Sequence, residues 1–436
     1  MGTSLGSSTT ARAGTRGGES HAALRLTVVE FLGTGGMIHY AYELCDALSR
    51  AGSEVTLMTS TDYELDALPH SFRVDKRFRL WPHHDPTNPE THRRSRVGRS
   101  AARGRRALRR LARAVRLVMA WFVLVRALDR REVDVVQFGT LRFPFETLFL
   151  RFLARQGYVL ADVCHEPELR ERPAGAFRAL VARTAGGAYA QFDTVFLHGA
   201  YNRNLFSDLH SGVADRAVAI RIGNHRIFER LARDGAEREL RRRYGLGAET
   251  PAVVYFGHLV PSKGVDVLVR AHALSYPETG TPLVIAGYPS KLFDVARLEA
   301  LTRTLNVEDS TILDLRYVPS DEVAALMAIA TIVALPYRSA SQSGALQVAY
   351  TFGRPVVATR VGGLPEAVDD GRSGVLVAPE SPAELADAIK AILCSPGRAA
   401  EMGTYARQLA HGRFSWDSVA AEMLSVYEPL LDARRS

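Results

Sequence analysis

The stretch Ala252-Val253-Val254-Tyr255-Phe256-Gly257-His258-Leu259-Val260-Pro261-Ser262-Lys263-Gly264 decides how this chain reads. Ala252–Phe256 is apolar, with β-branched residues at its centre, and reads as a buried strand. Gly257 ends it, and a short loop delivers Lys263 just before Gly264. Val265–Leu274 then reads as a helix, and Leu283–Ala286 as the next strand. The same grammar opens the chain. Leu26–Leu32 is a strand, Gly33-Thr34-Gly35-Gly36 a turn, and Ile38, Tyr40, Leu44 and Leu48 recur at helical spacing up to Gly52. Glu54–Met58 is then a strand. Strand, glycine loop, helix, strand is a βαβ unit, and here it starts twice.

Working outward, short buried strands recur at Val133–Phe138, Tyr158–Asp162 and Thr194–Leu197 in the first half. In the second they recur at Thr311–Leu315, Ile332–Leu335, Val356–Ala358 and Val375–Val377. Ser381, Pro382 and Glu384 open a helix over Pro382–Leu393. A charged stretch, Glu229 to Thr250, separates the halves. For 436 residues, two domains are expected. The expected organisation is a disordered leader over 1–23, a doubly wound α/β domain over 24–228, a linker over 229–250, a second such domain over 251–412, and a final segment, 413–436, returning to the first. Two such domains facing each other enclose a cleft, and α/β sheets bind ligands beyond the carboxyl ends of their strands.

Composition narrows the class. Hydrophobic residues make up 47%, enough for globular cores, and the net charge is +8. That excess suits anionic lipid, nucleic acid or a phosphorylated substrate. Cys45, Cys164 and Cys394 are distant and odd in number, so neither a disulfide framework nor a zinc motif follows, and a reducing compartment fits best. Residues 1–23 lack an apolar core and make a poor secretory signal. The longest apolar run, Leu117–Val125, is about half of what spans a bilayer.

Several residues are candidates for chemistry. Gly33-Thr34-Gly35-Gly36 lies at a helix start, where free N–H groups suit phosphate or an acceptor hydroxyl, although an ordinary tight turn reads the same way. Lys263 is a compact charge suited to phosphate, against the reading of a surface lysine on a turn. Ser341, Ser343 and Gly344 precede an apolar helix and offer a second N-terminus to an anion. His165 follows a strand end, where site residues sit. His198 is similarly placed, and His39 lies one turn into the first helix.

Taken together, these motifs resemble the C-terminal domain of the family 4 glycosyltransferases, which have the GT-B fold: two Rossmann-like domains facing an interdomain cleft. The resemblance rests on Gly257 with Lys263-Gly264, Gly287 after an apolar strand, Ser343-Gly344, Gly353-Arg354-Pro355-Val356, Gly362-Gly363-Leu364-Pro365-Glu366, and Gly371 with Ser373-Gly374. It is thinner over Gly35-Gly36, Gly52 and Glu54-Val55, and Phe414-Ser415-Trp416 resembles the start of the family's last helix. It implies retaining transfer from a nucleoside-diphosphate sugar, a co-substrate, to a lipid-linked or glycan acceptor, with no cofactor and no bound metal. It also implies donor binding at Gly35, Gly36, Gly257, His258, Lys263, Ser343 and Gly344, the first two lining the cleft from the other domain, and catalytic roles for His165 and Lys263. The family often has paired glutamates where this chain has Ala340 and Val348, and an arginine where it has His258. Two other readings stay open: a nucleotide-sugar epimerase on the same fold, and a non-catalytic nucleotide- or glycan-binding homologue.

The excess charge is concentrated. Eleven arginines from Arg93 to Arg116 precede Leu117–Val125, while Leu108, Leu111, Val115, Val118 and Phe122 fall at helical spacing. Arg93–Phe122, with a stripe ending in Trp121 and Phe122, is expected to dock on an anionic membrane surface. The alternatives are a solvated helix packed by its stripe, and nucleic acid, which no recognition module supports. The expected location is cytoplasmic, peripheral on the inner membrane face.

Overall fold

Both apolar runs that precede the glycine loops are buried parallel strands at the middle of their sheets. The computed structural model describes residues 23–80, 99–139, 143–168, 185–395 and 397–435, with the backbone alone for 99–110 and 435. The first sheet has the order β3-β2-β1-β4-β5-β6-β7, with β1 Arg25–Val29, β2 Glu54–Ser60, β3 Arg73–Phe78, β4 Val135–Phe138, β5 Val159–Cys164, β6 Thr194–His198 and β7 Ala217–Ile220. The second has the order β10-β9-β8-β11-β12-β13, with β8 Ala252–Phe256, β9 Leu283–Ala286, β10 Thr311–Asp314, β11 Ala330–Leu335, β12 Val356–Thr359 and β13 Gly374–Val377. The pairings are parallel throughout, as in Leu26↔Val55, Leu26↔Val135 and Val254↔Val284. Chain order reverses between β1 and β4 and between β8 and β11, and such switch points open a crevice at the strands' carboxyl ends.

The central strands of each sheet are buried on both faces, which is why they are short continuous apolar runs. The second lobe has a single core built on Val253, Tyr255, Ile285, Val333 and Val357. The first lobe has one core on each face. On one of them Trp416, Val419, Ala420, Met423 and Tyr427 pack against Ile38, Leu44, Val135 and Phe196, so the last helix, Trp416–Arg435, completes the first lobe. The stretch 229–250, expected as a linker, carries a helix over Ala236–Arg243 whose Ala236 and Leu240 join the second core. The chain crosses between lobes at two places that bond to each other. Asn224 N–H donates to Phe414 O (2.8 Å), its Nδ2 donates to Ala410 O (2.7 Å), and Trp416 Nε1 donates to Asn224 O (2.7 Å).

The arginine-rich segment forms a helix over Arg99–Ala127. Leu117, Ala120, Trp121 and Leu124 are buried in the first lobe, and Trp121 stacks on Phe138 and Phe149. Trp121 therefore leaves the docking stripe expected from sequence, because the stripe and the core-facing side share one apolar helix. Leu111, Val115, Met119 and Phe122 make a separate exposed row, continued by Leu148 and Phe152 on the neighbouring helix Glu146–Arg155. Arg93, Arg94 and Arg96, with most of the expected leader, lie outside the described residues. Among those described, no helix is long and apolar enough to cross a membrane.

Candidate functional site

In the second lobe the candidates collect where β8, β9 and β11 end. Gly257 has φ of +139°, and a Cβ at Gly287 would lie 1.8 Å from Gly257 O, so two strand-end turns touch where only glycine fits. His258 stacks on Tyr288 with ring centroids 4.9 Å apart. Lys263 closes a turn that Gly264 completes at φ of +62°, where a Cβ would lie 2.0 Å from Pro336 O. This presses the β8 loop onto the end of β11 and lays Lys263 Nζ over the Tyr337 ring, 3.6 Å from its centroid. The Tyr337 hydroxyl bonds Ser343 Oγ at 3.1 Å, and Ser343 Oγ accepts from Leu346 N–H at 3.2 Å, capping the helix Gly344–Thr351. Lysine, tyrosine, serine and helix N-terminus thus form one connected unit. His225, on the strap leaving the first lobe, faces the same helix end. A Cβ at Gly344 would lie 3.3 Å from His225 Nε2, and burial pushes that imidazole's pKa down to about 4. Ala340 and Val348 are buried and apolar, and both belong to the second lobe's core.

In the first lobe Gly35 stands at the start of the helix Gly36–Arg50. Its N–H is taken by Glu64 Oε1 at 2.7 Å, and His39 Nε2 lies 2.8 Å from the same oxygen. An internal carboxylate therefore already uses part of the helix end that the sequence reading offered to a ligand. His165, just past β5, approaches His198 at the end of β6, with Nδ1 and Nε2 3.2 Å apart. Tyr40 packs edge-on against both rings and against Trp416. His198 is buried, and that burial pushes its pKa down to about 4, leaving it uncharged near neutrality. A Cβ at Gly139, past β4, would meet Glu30 Oε2 at 3.5 Å and His165 Nε2 at 4.0 Å. Glu30, Gly139 and His165 therefore border one spot beside the switch point.

The half-sites meet across the seam. Gln342 Nε2 donates to His198 O at 3.0 Å, and Asn202 Nδ2 donates to Ser341 O at 3.1 Å. Glu366 accepts from Ala200 N–H and Tyr201 N–H at 2.9 and 2.6 Å. The loop that begins the capped helix of one lobe therefore rests on the histidine pair of the other. Tyr337, Gln342, Glu366, Glu30 and Tyr40 were not singled out from sequence. Their parts depend on which strands are neighbours and on how the lobes face. Among the described residues no cluster of three or more histidines, cysteines or carboxylates could hold a metal ion.

Comparison with known proteins fits this arrangement. Residues 250–395 match the family described as Glycosyl transferases group 1. A D-inositol 3-phosphate glycosyltransferase of Acidothermus cellulolyticus is 37% identical over 237 residues, which are 52% of this chain and 51% of that protein. A GDP-mannose-dependent alpha-(1-6)-phosphatidylinositol monomannoside mannosyltransferase of Mycolicibacterium smegmatis is 33% identical over 217 residues, 48% of this chain and 56% of that protein. The chain spans about half the length of the curated relatives it matches. Sucrose-phosphate synthase of Thermosynechococcus elongatus superposes with a TM-score of 0.67 at 20% identity over 94% of this chain and all of that one. Anabaena HepE in complex with UDP-glucose superposes with a TM-score of 0.64 at 19% identity over 92% and 99%. Those likenesses are in fold, and with the sequence match they show that the chain carries a group 1 glycosyl transferase domain within a GT-B fold.

Proposed function

We propose that this protein is a retaining glycosyltransferase that moves a sugar from a nucleoside-diphosphate sugar to a lipid-linked or glycan acceptor. The observation that carries this reading is the unit of Lys263, Tyr337 and the Ser343-capped helix end, set across the seam from His165. Glycosyl transfer needs a departing nucleoside diphosphate to be stabilised. A lysine ammonium and the Gly344 helix end supply that charge from preorganised positions. Gly257 and His258 complete the donor rim, while Gly35, Gly36 and His165 border the cleft from the other lobe. The departing phosphate can itself take the acceptor's proton, so no strong base is required of the protein.

Two relatives act, by their names, on D-inositol 3-phosphate and on a phosphatidylinositol monomannoside. A phosphorylated or lipid-linked polyol acceptor is consistent with the basic surface of this chain. The exposed row Leu111, Val115, Met119, Phe122, Leu148 and Phe152, with Arg113, Arg151 and Arg155 also exposed, supports docking on an anionic membrane face, where a lipid-linked acceptor would lie. Cys45, Cys164 and Cys394 are free thiols, in keeping with a cytoplasmic setting.

The test is a screen of nucleotide sugars by thermal shift, since a donor that binds only the native state raises the midpoint. Any hit is then assayed for transfer with Lys263→Ala alongside. The expected result is a fall in turnover by orders of magnitude in a variant that keeps its fold. Near-normal turnover would remove the phosphate role. Release of an isomerised sugar nucleotide without acceptor would point to an epimerase, and nucleotide binding with neither transfer nor hydrolysis to a binding homologue. Flotation with anionic against neutral vesicles tests the membrane part, and equal binding at low salt would end it.

A further inference from the structure

The seam between the lobes is held by side chains that neither carry the phosphate charge nor line the histidine pair. Glu366 sits in the Gly362-Gly363-Leu364-Pro365-Glu366 turn of the second lobe, and its carboxylate reaches the first turn of the helix Gly199–Leu209 in the first. There it accepts from the N–H groups of Ala200 and Tyr201. A carboxylate is well matched to that end of a helix, whose N–H groups lack partners within the helix. Room for it exists because residue 199 is glycine, at φ of +86°. A Cβ there would lie 2.2 Å from Glu366 Oε2 and 2.9 Å from Gln342 Nε2. A Cβ at Gly363 would lie 2.3 Å from Gln342 Nε2, so a second glycine leaves space for the glutamine.

Several contacts converge on His198. It precedes Gly199, its ring contacts His165, and its carbonyl oxygen receives Gln342 Nε2 from the second lobe and Asn202 Nδ2 from its own. Asn202 in turn donates to Ser341 O, beside Gln342. The loop that leads into the phosphate-facing helix is therefore clamped to the backbone that carries the histidine pair.

We propose that Glu366 and Gln342 are positioning residues. Together they form an interlobe latch that seats the donor half-site of one lobe against the histidine pair of the other, and they hold this register without any ligand. The functional value of that register rests on the transferase reading; the latch itself does not.

Small-angle X-ray scattering on the full chain without nucleotide tests it, using Glu366→Ala and Gly199→Ala. The first removes the carboxylate, and the second leaves it in place but fills the space it needs. Both are expected to shift the radius of gyration and maximum dimension upward, toward separated lobes. Circular dichroism of both is expected to match the wild type. Affinity for UDP and GDP, measured by calorimetry, is expected to stay within about two-fold of wild type, since the phosphate elements lie wholly on the second lobe. With a donor that turns over, kcat is expected to fall on the order of ten-fold with donor KM nearly unchanged, the pattern of a lost catalytic register. Unchanged scattering in both variants overturns the latch. So does a loss of nucleotide affinity with unchanged scattering, which would make Glu366 a donor contact instead. If the wild type binds neither nucleotide, the transferase reading falls while the scattering still decides the latch.

Discussion

Ser343→Ala should weaken the second lobe by more than a surface serine would. Two interactions end at that one hydroxyl: it caps Leu346 N–H at 3.2 Å, and it is the partner of the Tyr337 hydroxyl at 3.1 Å. Loss of an N-cap costs about 1 kcal/mol. Tyr337 is only 2% exposed, so its hydroxyl would be left buried without a partner, adding roughly 1–3 kcal/mol. The sum is about 2–4 kcal/mol. At roughly 2–4 °C per kcal/mol for a lobe of this size, the lobe's midpoint should drop by about 5–15 °C. Tyr337→Phe removes the stranded hydroxyl while keeping the ring under Lys263, and it should cost only about 1 kcal/mol. The double variant should then be more stable than the sum of the two singles implies, by about 1–2 kcal/mol. Differential scanning calorimetry and urea unfolding on the four proteins give this cycle directly. Strict additivity, or a Ser343→Ala midpoint equal to wild type, would refute the claim that serine and tyrosine act as one unit. Tyr337→Phe should also keep nucleotide affinity and Tyr337→Leu should lose it, because only the first retains the aromatic face.

Other outcomes follow from burial. His198 and His272 are buried and each is pushed down to about 4 by that burial. Both folded-state values lie below the unfolded one, so each histidine's contribution is full above about pH 6.5 and is lost as pH falls toward 4, by up to about 3 kcal/mol each. Denaturant midpoints against pH should show this acid limb, and His272→Asn should remove only its own share, leaving those of His198 and His225. Glu43 works with the opposite sign. Burial pushes it up to about 7, so stability declines as pH rises from the ordinary carboxylate range to 7, and Glu43→Gln should remove that decline in the same titration. Trp121→Ala should cost about 3–5 kcal/mol, whereas Phe122→Ser should change stability by no more than about 0.5 kcal/mol yet weaken flotation with anionic vesicles.

What could be read in the sequence follows a physical divide. Central parallel strands are buried on both faces, so Ala252–Phe256 and Leu283–Ala286 stand out as apolar runs and match β8 and β9 residue for residue. β3, Arg73-Val74-Asp75-Lys76-Arg77-Phe78, escaped notice because an edge strand facing water carries little apolar pattern, and β7, Ala217-Val218-Ala219-Ile220, because a run of four residues, two of them alanine, is too short a signal. In the site, glycines and Lys263 were visible because loop chemistry is local. Tyr337 was not legible, since its part depends on β8 lying beside β11. Gln342 and Glu366 depend on something further still, the facing of two lobes. His165 and His198 each read as strand-end histidines, but that their rings touch did not; strand-end position was legible and strand adjacency was not. The Trp121 reading failed because a helix with two apolar rows gives one periodic signal, and periodicity does not say which row meets the core.

The two bonded crossings at Asn224 have a mechanical consequence. Gly223 leaves no room for a side chain beneath the Trp416 indole, where a Cβ would lie 2.3 Å from the ring. Asn224 ties the outgoing chain to Ala410 and Phe414 and receives the Trp416 N–H. Two separate tethers would let one lobe slide, twist and swing over the other. Tethers knotted at a single asparagine leave a pivot, and motion about it is chiefly a swing. The contacts of Glu366 and Gln342 across the seam are then what such a swing would have to break. A substitution at Asn224 would therefore loosen the seam through the crossing rather than through the contacts that close it.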